Sequence, residues 1–217
     1  MADVNLSEFL PGVLPAVDTC PRGAAILALR DTAIAFCAET LYDQRDMTPI
    51  STVADQQDYA VPLPAGYDLA HIINLAWAGY PMFAQSIEYL DMMMPASWKI
   101  GKGSQSTWYT VKSIGNVSLV PIPDAINSNV ITGTIAVKPS RTSDLVGAKL
   151  YSDHYETLCS GALARLMMQS GKPWYNPNQA AYHAGMYRNG MVIAKVTVAK
   201  GFTTATIGVS PLTMGRQ

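Results

Sequence analysis

The residues that acid–base, nucleophilic or metal chemistry would draw on are three histidines, three cysteines and, among the carboxylates, the pair Asp153 and Glu156. His71, His154 and His183 lie far apart, and none has a Cys or a carboxylate at ligand spacing. Each is expected to be a surface or hydrogen-bonded histidine. Cys20, Cys37 and Cys159 are odd in number and no two are close. That argues against a disulfide framework or a zinc knuckle and for a reduced, cytosol-like history. Cys37 and Cys159 sit in apolar helical patterns and read as buried small hydrophobes. Asp153 and Glu156 have the look of paired acids, but a helix capped by Ser152 would put both in its first turn, where carboxylates complement the dipole. The chain has no Gly-rich phosphate cradle, no Gly-x-Ser-x-Gly elbow and no His-Glu-x-x-His helix. The expectation is no catalytic residue, no metal and no cofactor.

Two other clusters invite a binding role. Trp108-Tyr109 would stack on bases in a single-strand binder, yet only Lys99, Lys102 and Lys112 lie nearby, so sheet packing is favoured. Met92-Met93-Met94 fits an adaptable partner surface or a short helix covering a sheet equally well.

The elements that position these residues follow from periodicity. A helix is predicted from about Pro21 to Tyr42, capped by Asp18 or Thr19, with Ile26, Leu27, Ala33, Ile34, Phe36, Cys37 and Leu41 as its apolar stripe. Residues 1–20 read as an arm or loop leading into it, with Leu6 to Leu14 as a short apolar anchor. From Pro49 to about Pro139 the signal is β. Ile73, Leu75 and Trp77 alternate before an Ala78-Gly79 turn. A second hairpin turns at Ile114-Gly115, Val130 to Lys138 is a longer strand, and Ser86 to Met94 is a short helix. A second long helix is predicted from Ser152 to Gly171, and a third from Asn176-Pro177 to about Lys200. Gly161, inside the second, costs about 1 kcal/mol relative to Ala. It is expected where a neighbouring helix approaches closely.

This order gives an α+β fold: a three-helix body, an inserted antiparallel, sandwich-like β lobe and an extended C-terminal arm. The predicted parts are 1–48 (N-terminal arm and first helix), 49–144 (inserted β domain), 145–201 (second and third helices) and 202–217 (docking arm). In the arm, Phe202, Ile207, Val209 and Leu212 stand among Thr, Gly and Ser. That is too little apolar surface to fold alone, and the alternation of Ile207 and Val209 suits strand addition to an exposed sheet edge.

The bulk numbers narrow the function. Of 217 residues, 49% are hydrophobic and only 14% charged, and the net charge is −1. Wrapping nucleic acid needs clustered cations, which are missing, whereas a near-neutral wall lets DNA slide past. Little surface charge fits large interfaces. Met1 to Leu10 lacks the pattern of a signal peptide, and no stretch approaches the roughly 20 apolar residues of a membrane span.

Several segments, in order, resemble the tailed-phage head-to-tail adaptors, a family loosely similar to tail tubular protein A and the gatekeeper ring proteins. They are Leu29 to Cys37; Leu90-Asp91 to Pro95 with Trp98; Trp108-Tyr109; Leu119 to Asp124; Lys138-Pro139-Ser140; Gly161 to Leu166; Lys172-Pro173-Trp174 with Asn176-Pro177; and Lys200-Gly201-Phe202. The chain departs from the family at Ala96-Ser97-Trp98-Lys99, where a Gly and a basic residue often flank the Trp, and in its less charged first helix.

The resemblance implies a structural virion protein of the neck, made in the host cytoplasm and not an enzyme. It implies a closed ring, twelve-fold like the portal, with a channel for DNA as non-specific cargo. The implied partners are other copies, the portal and a tail tube or nozzle protein, with no membrane. In that family the C-terminal arm reaches the portal, so the edge that takes the arm is expected on a portal subunit or on a ring neighbour. Other readings are a different tail or baseplate component, a nucleic-acid-binding module, or a small cytosolic enzyme with an unrecognised site.

Overall fold

The opening residues fold inward. The computed structural model describes residues 3–203. β1 (Asp3–Asn5) is followed by a 3₁₀ turn (Leu6–Phe9), α1 (Leu10–Val13) and a second 3₁₀ turn (Leu14–Ala16). Leu6, Phe9 and Val13 are wholly buried, and the Phe9 ring stacks on Tyr155 with centroids 5.3 Å apart. The predicted arm is therefore part of the core, and the apolar anchor within it is the reason: three large side chains repeat at a spacing that buries all of them.

α2 (Arg22–Thr40) follows, starting from Pro21 without a side-chain cap; Asp18 instead accepts from the amide of Thr19. Its buried face is centred on Ala25, Leu29, Thr32, Phe36 and Cys37, which leaves Leu27 exposed. The chain then enters the lobe through β2 (Gln44–Asp46), β3 (Ile50–Thr52), β4 (Asp58–Ala60), β5 (Tyr67–Trp77) and β6 (Tyr80–Ala84). Two short helices, α3 (Ile87–Met93) and α4 (Ser97–Ile100), lead to β7 (Lys102–Gly103), β8 (Trp108–Ser113), β9 (Asn116–Val120), β10 (Ile122–Pro123) and β11 (Asn127–Pro139).

One eight-stranded sheet holds the lobe in the order β2-β11-β5-β6-β8-β9-β4, with β3 also on β11. With β7 and β10 paired apart as a small parallel ribbon, the lobe is thus built on one curled sheet where a sandwich was expected. Tyr59 and Val117 from one end of the order share a core with Ile131 and Ile135 from the other. Nor is it wholly antiparallel: β6 and β8 run parallel, because the α3–α4 segment is the crossover that a parallel pair needs. Both expected hairpin turns are present, with Ala78, Gly79 and Gly115 in the left-handed region. On β5 the alternation breaks twice, at irregularities opposite Thr134/Ile135 and Ala136/Val137. Tyr67, Leu69, Ile72, Leu75 and Trp77 face the core, and Ile72 takes the place predicted for Ile73.

β12 (Leu145–Gly147) pairs with β1, and α5 (Ala148–Met167) and α6 (Pro177–Ala199) complete the chain. α2, α5 and α6 share one core with the N-terminal turns. α5 begins a turn earlier than predicted and breaks its helical geometry at His154, so Ser152 and Asp153 precede an internal kink instead of a helix start. Two arginines tie body to lobe. Arg45 on β2 bonds Asp43 and Asp3 and lies 4.0 Å over the Tyr67 ring. Arg30 on α2 bonds Asp144 and the carbonyls of Ser143 and Arg141. Burial opposes charge on Arg45, but Asp43 and Asp3 outweigh it and raise its pKa.

Candidate interface surfaces

The titratable groups stay apart in three dimensions. His71 is exposed on β5, His183 is half-buried on α6, and His154 is buried at the α5 kink. His154 is neither a surface residue nor hydrogen-bonded through Nε2, which has no partner among the described residues. Its ring packs 4.9 Å from Phe36 and 4.4 Å from Tyr42, and burial lowers its pKa. The three cysteines are free and buried. Burial pushes the Cys159 thiol up to about 11 and the Cys37 thiol higher still, so neither is a ready nucleophile. Asp153 accepts from Tyr42 Oη at 2.8 Å and from Ser152, bonds that lower its pKa and pin the kink to the end of α2. Among the described residues no group of three or more His, Cys, Asp or Glu is placed to hold a metal, and no helix is long and apolar enough to cross a membrane. Tyr109 is buried in the sheet and Trp108 half-buried beside the small α3–α4 core of Leu90, Trp98 and Val120.

What the surface does offer is apolar. α6 starts where Asn176 Oδ1 accepts from the amide of Gln179, and its only charged residues are Arg188 and Lys195. Toward the body it buries Ala180, Gly190 and Ala194. Away from the body it shows Tyr182, Val192 and Ile193, exposed by 61%, 61% and 63%, with Met186 and Val196 beside them. Tyr182, Met186, Asn189, Ile193 and Val196 follow one another at alternating steps of four and three residues. That spacing is the seam of a helix meant to be packed against another element. A groove of about 440 Å³ runs along this seam, with Gly12, Tyr155 and Leu163 on its far wall. The prediction of α6 missed this face, although the signal was in the sequence: a long helix with two charges and large apolar residues beyond one stripe.

A second apolar patch lies on the lobe. α3 buries only Leu90, and Met92 and Met93 are exposed by 70% and 58%. The three methionines thus part ways: Met92 and Met93 face solvent on the short helix, while Met94 packs on the small core.

Gly161 lies where α5 faces both other long helices. A Cβ there would collide with Thr32 Cγ2 on α2 and come within 2.7 Å of Tyr187 Cδ2 on α6. Phe202 sits on its own body: Lys149 Nζ is 3.5 Å over its ring, and Tyr42 meets it edge-on at 5.3 Å. Ile207, Val209 and Leu212 lie outside the described residues.

Among the described residues the titratable groups are scattered, and the long helix α6 carries an uncovered apolar seam. The family model described as SU10 adaptor protein matches residues 14–208, and the chain belongs to that family. It is a phage head-to-tail adaptor-type family, typically structural, which makes this chain a virion-associated bacteriophage protein. No curated protein matches the chain.

Proposed function

We propose that this chain forms a closed ring in the neck of a tailed phage, stacked between the portal and the tail, with a central channel for DNA. One observation carries the reading: besides the side it buries against its own body, α6 exposes an apolar stripe of Tyr182, Met186, Ile193 and Val196, and such a stripe belongs against another surface. In a ring that surface is the neighbouring copy, repeated head to tail around the axis. Twelve copies would match the portal's usual symmetry. The portal and a tail tube or nozzle protein are the stacking partners, and DNA passes as non-specific cargo. The net charge of −1 supports a channel wall to which phosphates do not stick. The chain does no catalysis in this reading. The isolated protein is a monomer or weakly associated, and the portal templates the ring, so that closure does not run ahead of assembly.

Imaging of purified particles tests this reading. The expected result is a ring of this chain directly beneath the portal. Density for the chain at the baseplate would replace it with another tail role. Light scattering that finds a stable ring at low micromolar concentration without the portal would remove the templating step.

A further inference from the structure

The curled sheet is short of part of one strand. β6 pairs antiparallel with β5 at Leu75, Ala76 and Trp77, and parallel with β8 at Trp108 and Tyr109. Continued in the same registers, it would run between residues 69–72 of β5 and residues 110–113 of β8. It does not continue. The last bond of that run is Gln85 N to Tyr109 O, at 2.9 Å. Ser86 then caps α3 by accepting from the Tyr89 amide, and the chain turns away. Beyond Ala84, no strand among the described residues pairs with this edge of β5 or of β8. A cavity of about 300 Å³ marks the empty lane, with Leu69, Ile72 and Tyr109 toward the core and His71, Val111 and Lys138 toward the rim.

Two facing strand edges with an apolar floor form an acceptor for an extended segment. The chain also carries a donor. Ala205, Ile207 and Val209 alternate with Thr204, Thr206, Gly208 and Ser210, Pro211 follows, and no charge occurs between Lys200 and Arg216. Such a segment puts small apolar side chains on one face and buries no charge. The described chain leads to it from a fixed point, Phe202 held on Tyr42 and Lys149. From there only Thr203 precedes the segment, so the lane that takes it must open within about 7 Å of Phe202, at ~3.3 Å per residue.

We propose that residues 204–210 of one copy enter the lane of the neighbouring copy as a strand between β5 and β8. The proposal rests on the ring reading. Each copy then carries one donor and one acceptor, which is the head-to-tail arrangement that closes a ring with every strand used. A segment that filled its own lane would leave the copies unlinked, and one that went to the portal would leave the lane empty.

The test uses the full-length chain in virions, with p-benzoylphenylalanine in place of Ile207. Irradiation should give a dimer-sized product whose joined peptides map to residues 69–72 or 108–114. Adducts within one chain, or to another virion protein, overturn the proposal. An amine cross-linker on the same particles reports the ring independently. A ladder without the 207 adduct overturns the lane and leaves the ring standing, and no ladder overturns both. In the same background Gly208→Pro, outside the described fold, removes a strand amide and should cut the adduct at least tenfold, while an undiminished adduct rules out strand pairing.

Discussion

The two faces of α6 invert the usual amphipathic helix. Its inner face is made of small residues: Ala180, Gly190 and Ala194 are the ones it buries. A Cβ on Gly190 would strike the Thr157 side chain, so the glycine lets that side chain of α5 sit against the α6 backbone. Tyr187, Met191 and Val198 are the larger residues that pack there, and Tyr187 reaches across to donate to the Thr32 carbonyl at 3.3 Å, with burial pushing its pKa up to about 12. The outer face carries the large apolar side chains, and they are the exposed ones. The inner face gives close contact within the chain, and the outer face holds apolar area that only another surface can remove from water. One side of the helix thus holds the fold together, and the other carries apolar area with no cover among the described residues.

The comparison breaks if inner-side changes leave the fold alone. Phe36→Ala should have the largest effect, about 3–5 kcal/mol in denaturant unfolding. Phe36 is wholly buried and its ring touches His154, Tyr42 and Tyr187, so nothing nearby can collapse into the space. Gly161→Leu comes next. The added side chain meets Thr32 on one helix and Tyr187 on another, so the loss should reach about 3 kcal/mol, the upper end for overpacking. An unchanged melting temperature would mean that the three helices do not meet at Gly161.

Much of this arrangement was legible from residue spacing. Asn176-Pro177 gave the start of α6, Ala78-Gly79 and Ile114-Gly115 gave the hairpins, and Ser86 gave the start of α3, because each is a local signal read within a few residues. The features that were missed depend on distant partners. The irregularities on β5 follow from pairing with β11, more than fifty residues later. The parallel β6–β8 pair follows from where two short helices pack. The break at His154 follows from Tyr42, whose hydroxyl holds Asp153 across the core. The outer face of α6 was legible but unread, since an apolar position does not say whether its partner is in the same chain.

A smaller effect separates the inner side from solvent chemistry. Burial holds the folded pKa of His154 below its ordinary 6.5. The unfolded chain therefore takes up the proton first as pH falls, and stability present above about pH 6.5 is lost below it. Asp153, whose pKa is lowered chiefly by the Tyr42 hydrogen bond, adds its own loss only in the carboxylate range. Urea unfolding between pH 7 and pH 5 should show stability declining as the pH falls. His154→Leu should lessen it, with the remainder coming from His183, whose pKa burial also lowers. An equal slope in the variant would mean that His154 titrates alike in the folded and the unfolded chain.

The smallest effect on the fold belongs to the outer face, where the largest effect on assembly is expected. Ile193 is 63% exposed and centred in the seam, with Met186 and Val196 on either side. Ile193→Glu removes little that the isolated chain buries, so its stability should stay within about 0.5 kcal/mol of the parent. In the assembled ring the same carboxylate would be desolvated against apolar neighbours, a cost of several kcal/mol repeated at every contact around the axis. Lys195, two residues on, is already held by Glu39 at 3.2 Å and is not free to neutralise it. Phage lacking its own copy of this protein, complemented with Ile193→Glu, should therefore yield soluble, folded subunits and few tailed particles. Arg188→Glu, on the same helix and also exposed but outside the four-three spacing, is the matched control and should complement far better. If both variants complement equally, the outer face of α6 is ordinary solvent surface and its apolar character has no part in assembly.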